Sequence, residues 1–457
     1  MQVSFLMSAA LVCWLVLPGT LSGADAVKTV TAPPGSLVLR GPAKSTNSVA
    51  ADATGSVEYA LGLKLEKTIN GNDFSVLAQA IDAVAFYQRF VPTLPVSDAT
   101  KEKLYENSRT SDIRSLIQDR VTDVVRDLSP RFLGVRFCGT DTELLFRDKL
   151  GGGAYKVLTC GETIVEPTYV GLVTRRQADG SVRIIDVYQF DGTGLLSQTF
   201  RHKLVSQMAL KGLLVNPLNE ADQAWVALGD ALSVFLNRCK HGLYGGIKNA
   251  YYKLPAGLQN DRLILFSFAN SGGQNLKDIM VPLERWRQLY PTDPTPDLIL
   301  VNFYWRLYFG PRSVAEEAAR GTFYGHEWTA QQAAEAEAAI QDANKWFGDP
   351  MMEIRMAQYY NPDQPAKARA LLLRALKRIP FETRGLEELL KVNLVVKNFP
   401  AVADELRQEE ELLHTNLTQS VKLGKEYAEF RTSYAYKQWQ HEVHGVDIKT
   451  LLNQSGQ

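Results

Sequence analysis

The segment from Asp349 to Pro380 constrains the fold more than any other part of the chain, because it is typical of two helices joined by a short turn. Its second helix carries two small residues, Ala368 and Ala375, with the large apolar Leu372 between them. Alanine at such positions lets a neighbouring helix approach closely. Pro380 ends the second helix because proline has no backbone N–H to donate. The segment therefore predicts a packed pair of helices.

The same segment resembles a tetratricopeptide (TPR) repeat. When Pro380 takes the terminal proline position of that pattern of about 34 residues, Tyr359 falls on the aromatic position of the first helix. Ala368, Leu372 and Ala375 then fall on the small and large apolar positions of the second helix. Three residues of the first helix depart from the pattern: Met352, Arg355 and Met356. The resemblance implies a binding surface and carries no reaction with it.

The bulk composition is that of an ordinary globular protein. The chain has 457 residues, of which 45% are hydrophobic and 22% charged, which is enough for two or three domains. Fifty basic residues balance fifty acidic residues, so the formal net charge is zero. Nucleic-acid binding requires an excess of Lys and Arg side chains that neutralise phosphate charges, and this chain has no such excess overall. We therefore predict no nucleic-acid partner.

The N-terminus predicts export. Val3–Leu17 is almost entirely apolar, and Ala24-Asp25-Ala26 supplies an A-x-A cleavage site. The apolar run is shorter than the roughly 18 residues that span a bilayer. We predict a signal peptide over residues 1–26, a periplasmic or extracellular protein, and no membrane span in the mature chain. An uncleaved N-terminal anchor is the alternative, since no Lys or Arg precedes the run.

Three cysteines follow the predicted signal: Cys138, Cys160 and Cys239. An odd number cannot be fully paired within one chain. Cys138 and Cys160 both fall in strand-like segments, and the sequence leaves open whether they form a disulfide or stay free thiols. No C-x-x-C occurs, so the sequence supports neither structural zinc nor thioredoxin-like chemistry.

Between residues 57 and 194 the sequence predicts an α+β domain, preceded by a flexible linker over residues 27–56. Two helices, Asn72–Val91 and Ser111–Leu128, are followed by segments that alternate with a period of two. The predicted strands are Leu133–Phe137, Glu143–Arg147, Tyr155–Cys160, Thr168–Arg175 and Val182–Phe190, with a hairpin turn at Ala178–Ser181. Helices followed by an antiparallel meander indicate helices packed on a curled sheet.

This order of elements resembles the nuclear-transport-factor-2-like or cystatin-like α+β fold. The strand Val182–Phe190, followed by a Gly–x–x–Ser helix start at Gly194–Ser197, also resembles a group of exported bacterial proteins of unknown function. That likeness covers most of residues 70–415 and implies degenerate helical repeats after the sheet. We therefore expect a TPR-like helical solenoid over residues 195–445 and a tail over residues 446–457.

No catalytic motif is present, and the histidines suggest no metal centre. His441 and His444 stand three residues apart on one predicted helix, but no third ligand is identifiable. His202, between Arg201 and Lys203, is predicted to lie on the surface. We therefore predict no cofactor and no metal.

Asp186 is the most informative polar residue, because it interrupts an apolar strand. With Ile184 and Tyr188 predicted on the same face, it would line a pocket together with three residues of neighbouring strands: Arg147, Tyr155 and Tyr169. A buried carboxylate of that kind has a raised pKa and can act as a general base. The competing hypothesis is a structural Asp186 that binds backbone amides or Arg147.

Two functions remain open from the sequence. The leading prediction is a non-catalytic exported adaptor that binds a protein or peptide through its helical-repeat surface. The alternative is a small-ligand-binding protein, or an enzyme, that uses the pocket around Asp186.

Overall fold

The computed structural model of the chain describes residues 55–126, 130–138, 141–148, 155–156, 163–164, 169–190, 194–215, 217–227, 232, 235, 239, 246–271, 276–291, 293–309, 330–360, 364–380 and 382–446. The chain divides into two compact units between residues 327 and 328, with residues 345–347 counted in the first unit. The predicted signal peptide, nearly all of the linker and nearly all of the tail lie outside the described residues.

In the first unit, helices precede an antiparallel sheet. The described helices before the sheet are α1 (Val57–Asn70), α2 (Ser75–Ala80), α3 (Ala83–Gln88), α4 (Asp98–Ser108) and α5 (Ser111–Arg126). The side chains of Ser56, Asp82 and Ser97 accept hydrogen bonds from N–H groups in the first turns of α1, α3 and α4. Such caps satisfy donors that have no partner within the helix, and they fix where each helix begins.

The helix predicted from Asn72 to Val91 is two shorter helices in the structure. Between α2 and α3, Ile81 is extended and forms a parallel bridge with Ile184. The Asp82 N–H donates to the Ile184 carbonyl at 2.8 Å. The prediction of one continuous helix is wrong, because the spacing of apolar residues does not reveal a short segment that leaves the helix to pair with a strand.

The sheet contains five strands in the order β1-β2-β5-β6-β7, and every neighbouring pair is antiparallel. The strands are β1 (Pro130–Cys138), β2 (Asp141–Asp148), β5 (Tyr169–Arg176), β6 (Val182–Gln189) and β7 (Gly194–Leu195), while β3 (Tyr155–Lys156) and β4 (Thr163–Ile164) pair with each other. The hairpin predicted between β5 and β6 is confirmed, since the Gln177 N–H donates to the Ser181 carbonyl across the turn. Cys160 lies outside the described residues, so the question whether Cys138 and Cys160 pair stays open.

The main core of the first unit lies between one face of the sheet and the preceding helices. Leu144, Leu172 and Val187 occupy this face on three adjacent strands and are fully buried. The helices contribute Leu65, Leu77, Phe86 and Ile117, each at most 1% exposed. Burial of large apolar side chains on both sides holds the helices on the sheet.

A β-bulge in β6 changes the face on which Asp186 lies. The pairing of β6 with β5 skips Ile185, so that Ile184 and Val187 both join the main core while Asp186 does not. One extra residue reverses the alternation of side chains beyond it. The prediction that Ile184 and Asp186 share a face is therefore wrong, because a period-two pattern does not register a bulge.

Helices continue the first unit after the sheet. The described ones are α6 (Leu196–Leu210), α7 (Glu220–Ala227), α8 (Ile247–Tyr252), α9 (Ala256–Gln259), α10 (Arg262–Ser271), α11 (Leu276–Leu289) and α12 (Thr295–Phe309). They belong to the same compact unit as the sheet, whereas the sequence placed a domain boundary between residues 194 and 195. Polar side chains of β6 explain the difference, since Asp186 binds Ser197 and Tyr188 binds Asp293.

The second unit is helical in the residues that the structure describes. Its helices are α13 (Ala330–Phe347, up to residue 344), α14 (Pro350–Tyr360), α15 (Pro365–Arg378), α16 (Thr383–Val395), α17 (Phe399–Leu413), α18 (Thr418–Leu423), α19 (Ala428–Thr432) and α20 (Tyr434–His444). An α+β region together with a further helical region agrees with the predicted fold class at this coarse level.

The helix pair predicted from residues 349–380 is α14 packed on α15. Ala368, Leu372 and Ala375 are all 0% exposed, as their spacing predicts. Pro380 stands in a turn just after α15, and the side chain of Tyr359 lies outside the described part of the chain. Membership of a repeat family stays a prediction.

Among the helices of the described residues, none combines the length and the apolarity needed to cross a bilayer.

Candidate functional site

Asp186 is buried beneath the surface of the first unit and is 0% exposed. Its Oδ1 accepts from the Val187 N–H at 2.9 Å and from the Ser197 N–H at 3.1 Å. Its Oδ2 accepts from the Ser197 hydroxyl at 2.5 Å and from Arg89 Nε at 2.8 Å. Each carboxylate oxygen therefore accepts from two protein donors. Through these contacts Asp186 connects β6 to the start of α6 and to the end of α3.

This arrangement favours the structural hypothesis for Asp186. Burial raises the pKa of its carboxyl, and the charge of Arg89 and the hydrogen bonds from Ser197 and Val187 act in the opposite direction. A general base needs access to the proton that it removes, and a fully enclosed carboxylate with four donors has none. The hypothesis named backbone amides or Arg147 as partners. The backbone amides of Val187 and Ser197 do bind Asp186, and the ion pair is formed by Arg89 instead of Arg147.

The ion pair extends into a small network at the same side of the sheet. Arg89 Nη1 lies 3.1 Å from Asp141 Oδ2. Asp141 also accepts from Arg175 Nε at 2.8 Å. Two arginines and two aspartates thus alternate across α3, β2, β5 and β6, and a balanced network of this kind offers no net charge to a ligand.

The remaining predicted pocket residues do not gather around Asp186. Arg147 on β2 and Tyr169 on β5 are cross-strand partners, and both are buried. The Tyr169 ring stacks on Phe347, with 4.2 Å between the ring centroids. The Tyr155 side chain lies outside the described residues. The predicted set therefore separates into several places, and Tyr188 forms a second polar cluster.

The second cluster is centred on Asp293, just before α12. Its Oδ2 accepts from the Tyr188 hydroxyl at 2.6 Å and from Trp286 Nε1 at 3.0 Å. Its Oδ1 accepts from the Thr295 N–H at 3.1 Å and from the Thr295 hydroxyl at 2.7 Å. Burial raises the pKa of Tyr188 well above its usual value, and the negative charge of Asp293 adds to the effect.

Arg262 completes this cluster. Its guanidinium carbon lies 4.0 Å from the centroid of the Tyr290 ring and 5.9 Å from that of Tyr188. Its Nε is 3.3 Å from Asp293 Oδ2, and the side chain is 13% exposed. Stacking on an aromatic face fixes a guanidinium in place while leaving its edge available to acceptors. The sequence reasoning missed Arg262 and Asp293. The available signal was Asp293-Pro294-Thr295, in which an Asp two residues before a Thr is typical of a helix start.

His202 corrects another prediction, because it is half-buried instead of lying on the surface. Its ring stacks on Trp225 with 4.3 Å between centroids, and its Nε2 lies 3.3 Å from Asp261 Oδ2. Burial lowers the pKa of His202. The basic neighbours in the sequence suggested exposure, but the face of α6 that carries His202 packs against other elements.

A second buried carboxylate lies in the other unit. Glu405 on α17 is 7% exposed, and Asn393 of α16 donates to its Oε1 at 2.6 Å. Its other oxygen, Oε2, has no hydrogen-bond partner in the part of the chain that the structure describes, and burial raises the pKa of Glu405 to about 8. At His441 and His444, as elsewhere in the described residues, no three His, Cys, Asp or Glu side chains are grouped to hold a metal ion.

No protein-family model, no curated protein and no solved structure matches this chain.

Proposed function

We propose that the protein is an exported, non-catalytic adaptor that binds a protein or peptide on its helical second unit, whose helices form a TPR-like array. The observation that carries this proposal is the order of packing: α14 packs on α15, α15 on α16, and α16 on α17. Helices stacked in sequence combine their outward side chains into one extended surface, which is how repeat proteins bind partners.

The contact between α15 and α16 supports close stacking. A Cβ atom at Gly385 would lie 2.8 Å from Leu376 Cδ2 and 3.0 Å from Ile354 Cδ1. These distances are shorter than ordinary contacts, so a larger residue at Gly385 would require the Leu376 and Ile354 side chains to shift. The outward face of α15 carries Leu373, which is 43% exposed, and the exposed Lys377. An apolar side chain beside a charge is a suitable contact for a partner.

The alternative function loses its support at Asp186. An aspartate that binds a ligand or acts as a base in a pocket needs an accessible carboxylate. Asp186 is 0% exposed, and both of its oxygens already accept hydrogen bonds from protein groups. The adaptor proposal is therefore the one that the described geometry favours.

The test is a comparison of two matched double variants. Leu373→Asp with Lys377→Glu changes the outward face of α15. The control, Leu63→Asp with Lys64→Glu, changes an exposed apolar and an exposed lysine side chain on α1 of the first unit. Both are expressed in the native cells, and cross-linked partners are quantified by mass spectrometry. We expect the α15 variant alone to lose a partner that the wild type enriches; equal capture by all three proteins contradicts the proposal.

Export is tested separately by mass spectrometry of the native protein. The A-x-A site predicts a mature chain that begins near Val27. A native protein that still carries residues 1–26 would refute the cleaved signal and leave the anchor as the alternative.

A further inference from the structure

Arg262 is a largely buried cation that donates no hydrogen bond to a described residue. Its side chain is 13% exposed, and its one ion-pair contact among the described residues is the 3.3 Å approach of Nε to Asp293. None of its N–H groups forms a hydrogen bond with a described residue, and only Nε is both unpaired and fully enclosed. The side chain keeps a 13% exposed fraction, through which a ligand could reach the two Nη groups. We propose that Arg262 is a binding site for a carboxylate group.

The geometry prepares the guanidinium for such a ligand. The guanidinium carbon lies 4.0 Å from the centroid of the Tyr290 ring, and the ring covers one face of the guanidinium. The aspartate beside Nε is already bound by four other donors, from Tyr188, Trp286 and Thr295. Asp293 therefore fixes the orientation of Arg262 without occupying its Nη groups. A planar guanidinium held in this way binds a carboxylate through two parallel N–H···O bonds.

Charge selects a carboxylate over a phosphate. The site contains one guanidinium, and the carboxylates of Asp293 and Asp261 are its closest charged neighbours. These two carboxylates outnumber the one cation, so net charge disfavours a doubly charged phosphate more than a singly charged carboxylate. The N–H donors of the guanidinium, and not the net charge, would hold the ligand. The rings of Tyr188 and Tyr290 flank the guanidinium, so an organic acid with an apolar or aromatic body fits better than a small inorganic anion.

A carboxylate with an apolar or aromatic body can belong to a free organic acid or to the C-terminus of a peptide. The probes are phenylacetate, an acetylated tripeptide ending in phenylalanine, the same tripeptide as its C-terminal amide, and inorganic phosphate. Binding to the purified protein is measured by calorimetry, and the Arg262 Nε–H signal is followed by NMR. Tighter binding of the tripeptide acid than of phenylacetate assigns a peptide C-terminus, and equal binding assigns a free organic acid.

Arg262→Lys keeps the positive charge and removes the two parallel N–H donors of the guanidinium. Arg285→Lys is the matched control, since Arg285 is an exposed arginine of α11 that donates to Asn260 instead. We expect the carboxylates to bind the wild type and the control with equal affinity. Their affinity for Arg262→Lys should be at least about tenfold lower, because the variant loses one charge-assisted hydrogen bond. If Arg262→Lys does not fold, the wild-type protein alone provides the test. The NMR signal of Arg262 Nε–H should then shift when a carboxylate probe is added and stay unchanged when the tripeptide amide is added.

Three results would overturn the proposal: no binding of any carboxylate, equal affinity for phosphate, or equal affinity of the wild type and Arg262→Lys. The site is independent of the proposed adaptor surface, because Arg262 belongs to the first unit. Failure of one proposal therefore leaves the other standing.

Discussion

Removal of the Asp186 carboxylate measures how much its buried contacts stabilise the first unit. In Asp186→Ala, the backbone N–H groups of Val187 and Ser197 lose their acceptor. An unsatisfied buried donor costs about 1–3 kcal/mol. Arg89 also loses its partner, but it keeps Asp141 and its side chain is 23% exposed, which reduces that contribution. We expect the free energy of unfolding to fall by about 3–5 kcal/mol, as when one member of a buried pair is removed.

Asp186→Asn is the matched variant because it keeps the volume of the side chain. Its oxygen can still accept from both backbone N–H groups, and its amide can donate to the Ser197 hydroxyl. Only Arg89 then loses its acceptor, so we expect a smaller loss of about 1.5–3 kcal/mol, the value of one hydrogen bond to a charged group. The exposed Asp119 provides the control, and Asp119→Ala should change stability by no more than about 0.5 kcal/mol.

Urea unfolding followed by circular dichroism gives the overall loss, and hydrogen exchange of the β5 and β6 amides shows whether it is located in the sheet. The reasoning would be refuted if Asp186→Ala lost less than about 1 kcal/mol. It would also be refuted if the alanine and asparagine variants were equally unstable, since the backbone donors would then contribute nothing.

Two further predictions concern the second unit. Because the folded pKa of Glu405 is about 8 against an ordinary value of 4.5, the folded protein binds a proton more tightly than the unfolded chain, so stability is full below pH 4.5 and declines as the pH rises to about 8. Thermal unfolding across this range should show the decline, at most about 5 kcal/mol, and Glu405→Gln should remove most of it; an unchanged pH profile would contradict the assignment. Ala375→Trp should overpack the fully buried face of α15 and cost about 1–3 kcal/mol or more, measured by urea unfolding, and a variant as stable as the wild type would show that this face is not a tight helix contact.

The elements that follow one simple period could be predicted from the sequence. The strands β1, β2, β5 and β6, the hairpin turn and the start of α6 lie close to their predicted positions. The buried face of α15 was also predicted, since Ala368, Leu372 and Ala375 repeat with the helical period. In these segments the local pattern and the tertiary structure demand the same residues, and local reasoning then suffices.

The site was predicted only in outline. A structural Asp186 was one of two hypotheses from the sequence, but its ion-pair partner Arg89 is 97 positions away along the chain. Tyr188 and Asp293 are 105 positions apart. Such contacts depend on how the elements are packed, and no local pattern encodes them. The bulge at Ile185 has the same origin, since its effect appears only in the pairing of β6 with β5.

The network around Asp186 has a consequence for the kinetics of the first unit. Its members, Arg89, Asp141, Arg175, Asp186 and Ser197, come from distant parts of the chain, so long loops must close before the contacts form. Contacts that form after the folding barrier change the unfolding rate more than the folding rate. We expect the network to form after the folding barrier, so its loss should raise the unfolding rate more than it lowers the folding rate.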